Sequence, residues 1–599
     1  MYRVSANLFR WAILYPVFCQ LVSSSRLEPA NPFPPPTLHP KSQGLDGIFD
    51  NLERDFQDAA SNRSSPWLTD ITSFSVAVTS TTQTLWTTSY TAPILGNYSN
   101  GPPTTMSDQS YFRIASISKV FTVLAILLQE KAGNCSLRDP ISRHVPELNE
   151  RVGADPHTAE WDSITLETLA SQLSGIPREY GQCDLTDPLT DRVYHFDDPV
   201  DIGLPPVDDS DVPPCGRNRP GTRPCSRKEI LDGLMKLPPS FEPNYKATYS
   251  NLAFVLLGFA LENMTGLEYA DVIRSSIFDP LGMERASLAR PPDTEGIIPS
   301  LPNDWNVDVG TYGSTGGIYT TASDLALFAR SVLAKKLLDT TTTNAWFHPR
   351  SFSSSWSFAY GMPWEIFRTS DMLPDSDRIQ TIFTKGGALN GYFSQLLLIP
   401  EYNLGLVVLV AGDGHATRWL REKVLKLLIP AVEQIARDQA ASKLSGSYMS
   451  NDATINSSTT FEVSGSRGLV LTSWLSNGTD FLAQYGHMSN PRRKRGHVQL
   501  TPSNVSRGKN SEVWRAAYVL DELLPSDEIV NANLIVDVDI LSYASRSLEE
   551  FVFELDDSGR ATKVTLPGFR ITLDRQADRE ALDAFVRLRE PMKPLGSTY

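Results

Sequence analysis

Histidine and cysteine are scarce, with eight and five in 599 residues. The histidines show no ligand spacing and the cysteines fit no zinc pattern, so no metal and no cofactor are expected. Positive charge is not in excess: 54 Lys and Arg against 69 Asp and Glu give a formal net charge of −15. That balance excludes the basic footprint of a nucleic-acid binder. No run reaches the ~20 uninterrupted apolar residues of a membrane span, and no fixed-period repeat is visible. What remains is ordinary globular composition, 41% hydrophobic and 21% charged. At roughly 100–200 residues per domain, the length predicts two or more domains.

The N-terminus is informative. Arg3 and Arg10 flank a mostly apolar run over 11–22, followed by Ser23-Ser24-Ser25. A basic start, a short apolar core and small residues read as a secretory signal over 1–25, and the protein is expected to be extracellular. Six prolines between 29 and 40 (Pro29, Pro32, Pro34, Pro35, Pro36, Pro40) make 26–45 a stiff linker with no packed element before Leu45. Cys19 leaves with the signal, so Cys135, Cys183, Cys215 and Cys225 are the disulfide candidates. Four cysteines allow three pairings, and spacing does not choose among them. N-x-S/T sequons at Asn62, Asn97, Asn134, Asn263, Asn456, Asn477 and Asn504 point to a glycoprotein. The run Arg492-Arg493-Lys494-Arg495 reads as a solvated loop, with proteolytic processing as its alternative.

Periodicity supplies the architecture. Segments 73–79 and 84–90 are Val/Thr/aromatic-rich and predict a hairpin at a sheet edge. From 116 to 131 the chain is apolar on every side after its first turn, which predicts a buried central helix. Residues 183–225 are rich in Pro, Asp and Cys and read as a long insertion pinned by disulfides. Ser226 and Glu229 form a capping box, and helices are predicted over 252–264, 323–337 and 419–436. Segments 392–399 and 404–411 predict a second hairpin. Strands, then helices, then strands and a closing helix imply an α+β domain over 46–438. Its antiparallel sheet is flanked by helices and accompanied by an all-helical subdomain. Beyond it, short strand-like runs at 458–463, 468–474, 534–539, 551–555, 561–566 and 569–573 predict a smaller, mostly β domain over 439–599.

Three short motifs carry chemistry. In Ser116-Ile117-Ser118-Lys119, residues three apart share one helical face. Ser116 would sit in the first turn, where free N–H groups and the helix dipole favour developing negative charge. Lys119 would enter an apolar core, which depresses a lysine pKa and makes it a base for the neighbouring serine. Tyr249-Ser250-Asn251 precedes an apolar helix. A tyrosine near cations can shuttle a proton, and an asparagine can orient Lys119 and a substrate carbonyl. Lys385-Gly386-Gly387 opens the last hairpin, where glycines permit close backbone approach and a lysine can hold an anion or tune Tyr249. Taken singly, each reads more simply as a helix cap or a turn.

In this order the three motifs resemble the serine β-lactamase and penicillin-binding-protein superfamily. The similarity is greatest to its class C-like branch and to secreted fungal β-lactamase-like proteins. The segments Leu169-Ala170-Ser171-Gln172-Leu173-Ser174-Gly175-Ile176-Pro177, Phe278-Asp279-Pro280-Leu281-Gly282-Met283 and Gly316-Gly317-Ile318-Tyr319-Thr320-Thr321 extend the resemblance across roughly 46–438. It implies a Ser116 nucleophile, with Lys119 and Tyr249 sharing acid–base work. It also implies Asn251 as a substrate-positioning group, Lys385 in the electrostatic position and Gly386 and Gly387 lining the substrate. The backbone N–H groups of Ser116 and Ala388 would form the oxyanion hole. The expected partner is a small acyl substrate: an ester, a lactone or an amide. Gly386 stands where the family's lactamases carry threonine, which counts against a strict β-lactamase or D,D-peptidase. A non-catalytic binding protein on the same fold is the other alternative.

Overall fold

The computed structural model describes residues 32–577, apart from 43, 63, 97–105, 152–158, 183, 187–198, 217–222, 375, 377, 453, 490–494, 506, 509 and 521–537. The signal over 1–25, Asn97, Cys183, Arg492 to Lys494 and most of the strand expected at 534–539 therefore lie outside the described residues. The chain divides into two compact units, one of residues 38–372 with 380–429, the other of residues up to 37 with 373–379 and 430 onward.

The first unit is built on an eight-stranded antiparallel sheet. Its strands are β1 (Ser73–Thr79), β2 (Thr84–Tyr90), β3 (Ser351–Phe352), β4 (Phe358–Tyr360), β5 (Glu365–Thr369), β6 (Gln380–Leu389), β7 (Tyr392–Ile399) and β8 (Leu404–Ala411). They lie in the order β2-β1-β8-β7-β6-β5-β4-β3. Both expected hairpins are present, the first at the sheet edge. Side chains alternate between faces along a strand. Phe74 and Trp86 accordingly meet Phe56 of helix α1 (Leu45–Ser61), whereas Ala77 enters the main core.

That core is shared with the helical body. Helix α2 (Ser118–Lys131) and helix α3 (Asn251–Thr265) are apolar on all sides because both are surrounded. The Ser250 hydroxyl caps α3 by accepting from the Ala253 N–H, and Gly266 ends it at φ 70°. The Ser226/Glu229 capping box is formed as expected. Three helix boundaries differ from expectation. The helix expected from 116 is regular only from Ser118, after a 3₁₀ turn over Ala115–Ile117. Helix α4 (Ala322–Leu333) stops short of 337, because Lys335 turns left-handed at φ 56°. Helix α5 (His415–Leu444) is longer than 419–436 and carries Pro430 in its interior.

Cys215 and Cys225 are disulfide-bonded. Cys135 is a free thiol, since the other two described candidates bond to each other, and its Sγ lies 3.9 Å from the Ile126 carbonyl oxygen. Burial and then the nearby Glu130 and Asp139 push that thiol up to about 12. The six described sequon asparagines, Asn62, Asn134, Asn263, Asn456, Asn477 and Asn504, are all exposed.

The second unit is a β-barrel. Strands β9 (Gly446–Met449), β10 (Ser458–Val463), β11 (Leu469–Ser476), β12 (Thr479–Asp480), β13 (Gly496–Pro502), β14 (Ser511–Leu520), β15 (Glu550–Leu555), β16 (Ala561–Leu566) and β17 (Ile571–Arg575) pair antiparallel in the order β10-β9-β17-β16-β15-β14-β13-β11-β12. A further β10–β11 pairing closes the ring, which removes the exposed edges of an open sheet. Tyr448, Phe461, Trp474, Trp514, Phe551 and Phe553 fill it. Sequence patterning missed β13, β14 and the helix α6 (Phe481–Ser489). The proline-rich segment is also not merely a spacer. Phe33 is buried with Ala436 and Ala440, and Thr37 exchanges two backbone bonds with the Gln439 amide at 2.9 and 2.8 Å. Among the described residues no helix is long and apolar enough to cross a membrane.

Candidate active site

The chain is pinned on both sides just before Ser116. Phe112–Arg113 pairs with Tyr319–Thr320, and the Ile114 N–H donates to the Ile318 carbonyl at 3.1 Å. The Ile114 carbonyl accepts the Ser394 hydroxyl of β7 at 2.8 Å. Ala115 then takes φ 47°, the left-handed region that costs a non-glycine residue of order 1 kcal/mol or more. This turn presents Ser116 at the mouth of α2.

Lys119 follows one turn later and is fully buried. Its Nζ lies 3.1 Å from Ser116 Oγ and donates to the Thr315 carbonyl at 2.9 Å. Burial is the main reason its pKa is lowered, and the charge of Lys385 lowers it further against the opposing pull of Tyr249. Tyr249 Oη lies 2.8 Å from the same Ser116 Oγ. Burial alone would push the phenol up, but Lys119 and Lys385, with hydrogen bonds to Lys119 and Ser116, bring it down to about 8. Three cations face the Tyr249 ring: Arg178 at 4.7 Å, Lys119 at 5.0 Å and Lys385 at 5.4 Å from its centroid.

Lys385 is buried in β6 and pairs with Glu365 of β5, Nζ to Oε1 at 2.7 Å. Burial opposes its charge, but Tyr249 and Glu365 outweigh that and raise its pKa. Gly387, two residues on, faces Ser116. A Cβ built there would stand 3.1 Å from the Ser116 nitrogen. Strand alternation also directs the Ala388 amide. The Gly386 N–H points away from β7, to Glu365 Oε2 at 3.0 Å. The N–H of Ala388, two residues later, projects from the same strand edge beyond the end of β5 pairing at Thr384.

Ser116, Lys119, Tyr249 and Lys385 thus form one cluster, with Gly387 against it. Asn251 is the exception. Its Nδ2 donates to Glu179 rather than orienting Lys119, and its Oδ1 is buried without a partner. The reason is local: Asn251 opens α3, and its backbone N–H is fixed to the Arg178 carbonyl at 2.9 Å, beside Glu179. Sequence reasoning missed Glu365, Glu179, Arg178 and the Thr315 carbonyl. The first three lie in no motif, and a backbone carbonyl leaves no trace in side-chain identity. Among the described residues no group of three or more His, Cys, Asp or Glu is placed to hold a metal.

The family model described as Beta-lactamase matches residues 49–429, and one described as "Beta-lactamase-like-like, C-terminal domain" matches residues 436–577. A probable hydrolase M10 from a Phoma species is 29% identical, over 91% of each chain. A beta-lactamase-like protein from Arthroderma benhamiae is also 29% identical, over 90% of this chain and 93% of its own. Among solved structures, a beta-lactamase/D-alanine carboxypeptidase from Yersinia pestis complexed with citrate is 22% identical. It covers 65% of this chain and 100% of its own, at a TM-score of 0.46.

Proposed function

Because the chain belongs to the beta-lactamase family of serine hydrolases, we propose that it cleaves an ester, lactone or amide, or transfers its acyl group, through an acyl-enzyme on Ser116. The observation that carries this reading is the convergence of Tyr249 Oη and Lys119 Nζ on one oxygen, Ser116 Oγ, at 2.8 and 3.1 Å. A serine hydroxyl is a poor nucleophile until a neighbouring base accepts its proton. A phenol held at about 8 can serve as a base near neutral pH, because about a tenth of it is phenolate one pH unit below that value.

In this scheme the Ser116 proton passes to Tyr249 as Oγ bonds to the acyl carbon. The carbonyl oxygen gathers negative charge between the Ser116 and Ala388 amides, the oxyanion donors of this scheme. Tyr249 returns the proton to the leaving oxygen or nitrogen as that bond breaks. Water or an alcohol then gives its proton to Tyr249 and attacks the acyl carbon. The acyl–Oγ bond breaks as Tyr249 passes that proton to Ser116 Oγ, which restores the phenolate and the serine hydroxyl. Lys119 and Lys385 keep the phenolate accessible throughout. Secretion behind a cleaved signal and glycosylation at the exposed sequons belong to the same proposal.

The test is intact-mass spectrometry after brief exposure to p-nitrophenyl esters and to penicillin, with a Ser116→Ala protein alongside. A Ser116-dependent adduct or p-nitrophenol burst is expected with an ester. Equal labelling of both proteins would remove Ser116 as nucleophile.

A further inference from the structure

Lys385 is 2% exposed, yet its positive charge is already matched. Its ammonium donates to Glu365 Oε1 at 2.7 Å and to the Gly386 carbonyl at 2.8 Å. The other carboxylate oxygen, Glu365 Oε2, accepts the Gly386 N–H at 3.0 Å. One carboxylate therefore spans an ammonium and a backbone amide, a donor pair of the kind that holds carboxylates. The two partners are unequally buried, with Glu365 28% exposed against 2% for Lys385. From solvent, the outward member of the pair is the acid and the inward member is the base.

We infer that Glu365 is a built-in carboxylate that fills the anion subsite of Lys385 and the Gly386 amide, so that acyl substrates carry no negative charge beside the scissile bond. The inference rests on the Ser116 acyl-enzyme reading and names the substrate class for it.

Three features hold Glu365 in that role. It is tethered: Glu365 pairs with Thr384 across the β5–β6 ladder, and its own carbonyl accepts the Thr384 hydroxyl at 3.0 Å. A tethered group competes at a high effective concentration against a free carboxylate. Displacing it would strand a charge at a nearly buried ion pair, which is costly. Gly386 also offers no side-chain hydroxyl for a second anion. A Cβ there would face only Gln395 Nε2 at 3.5 Å and Glu365 Oε2 at 3.6 Å. The exposed cation at this site, Arg178, stands over the Tyr249 ring with its own carboxylate neighbour, Glu179, at 3.8 Å. Lys385 is thereby reserved for lowering the Tyr249 pKa, and Glu365 excludes carboxylates by like-charge repulsion.

The experiment compares two p-nitrophenyl esters of similar length, the neutral hexanoate and the mono-ester of adipic acid, on wild type and Glu365→Gln. Wild type is expected to favour the neutral ester in kcat/KM by on the order of tenfold. Glu365→Gln should shift that ratio toward the carboxylate ester by a similar factor, which a purely structural role would not do. Wild-type preference for the carboxylate ester overturns the inference. So does an unmoved ratio in a Glu365→Gln protein that keeps its melting temperature and its Ser116-dependent burst. Should Glu365→Gln not fold, the wild type decides with phenylboronic and 3-carboxyphenylboronic acids: tighter inhibition by the uncharged acid supports the inference, and tighter inhibition by the carboxylated one overturns it. A burst that survives in Ser116→Ala would instead defeat the acyl-enzyme reading itself.

Discussion

Replacing Gly387 with alanine puts a methyl group in place of one hydrogen at a crowded point of the site. The new Cβ would lie 2.2 Å from the Ile114 carbonyl oxygen, 2.4 Å from Ser394 Oγ and 3.1 Å from the Ser116 nitrogen. The Ser394 hydroxyl can rotate away, but then the Ile114 carbonyl loses its 2.8 Å hydrogen bond. The Ile114 carbonyl is backbone and cannot rotate away by itself. Relief requires β6 to retreat from the Ile114–Ser116 turn by about 1 Å, a misplacement on the scale that costs about 100-fold in rate. The Ala388 amide, the proposed oxyanion donor, retreats with the strand, and losing one such donor is worth about 100- to 1,000-fold in kcat. Overpacking should also cost about 1–3 kcal/mol of stability. Gly386→Ala is the comparison, because its Cβ meets only ordinary contacts at 3.5 and 3.6 Å. Neither glycine has a positive φ, so backbone strain does not distinguish them. Burst kinetics with a p-nitrophenyl ester and thermal unfolding should show Gly387→Ala at least about tenfold more impaired than Gly386→Ala. Equal loss in the two variants, or wild-type kinetics in Gly387→Ala, would refute the packing argument.

In the proposed scheme, where the phenolate is the base, activity on a neutral ester should rise with pH through a limb near the Tyr249 value of about 8. Lys385→Met removes a positive charge that favours the phenolate, so the limb must move to higher pH and the rate at about pH 7 should fall on the order of tenfold. A limb that stays put or moves to lower pH would show that Lys385 does not tune Tyr249. In the second unit, Arg378 and Glu433 form a 2.7 Å ion pair at 5% and 3% exposure, and Arg437 joins it at 3.3 Å. Glu433→Ala deprives the buried Arg378 of that carboxylate and should cost about 3–5 kcal/mol in denaturant unfolding, with Glu433→Gln losing less. A loss below about 1 kcal/mol would mean the pair is not sustaining that unit.

Chemistry made the candidate nucleophile legible and geometry hid its surroundings. Ser116, Lys119, Tyr249 and Lys385 are visible in the chain because each reaction role admits few residue types, and their order adds information that no single motif has. Glu365 carries no such mark. It lies 20 residues before Lys385 and becomes its neighbour only through the β5–β6 register, Glu365 opposite Thr384. A lone glutamate in an alternating segment has no pattern to separate it from a solvated one. Ala115 is hidden for a different reason: its left-handed turn is imposed by the bonds on Ile114, not by its own propensity. Asn251 departs from expectation in one respect, that it does not contact Lys119. Its residue type fitted an expected role, but the hydrogen bond it makes is decided by Glu179, whose proximity depends on the fold. In the barrel, β13 and β14 pair from Gly496 opposite Leu520 to Pro502 opposite Trp514, a long-range register that local alternation does not disclose.

The charges around Tyr249 tie these observations together. Lys119, Lys385 and Arg178 face its ring, and Glu365 and Glu179 stand against Lys385 and Arg178. Lys119 and Lys385, with hydrogen bonds to Lys119 and Ser116, bring the buried phenol down to about 8, a positive surplus that the phenolate answers. A substrate carboxylate drawn into this group would satisfy the same surplus and return the phenol toward its ordinary value, weakening the base at the moment it is needed. A neutral acyl group leaves the surplus to Tyr249. Selection for an uncharged substrate and activation of Ser116 are therefore the same electrostatic arrangement, and a variant that admits carboxylates by removing Glu365 should also change the pH at which Ser116 becomes reactive.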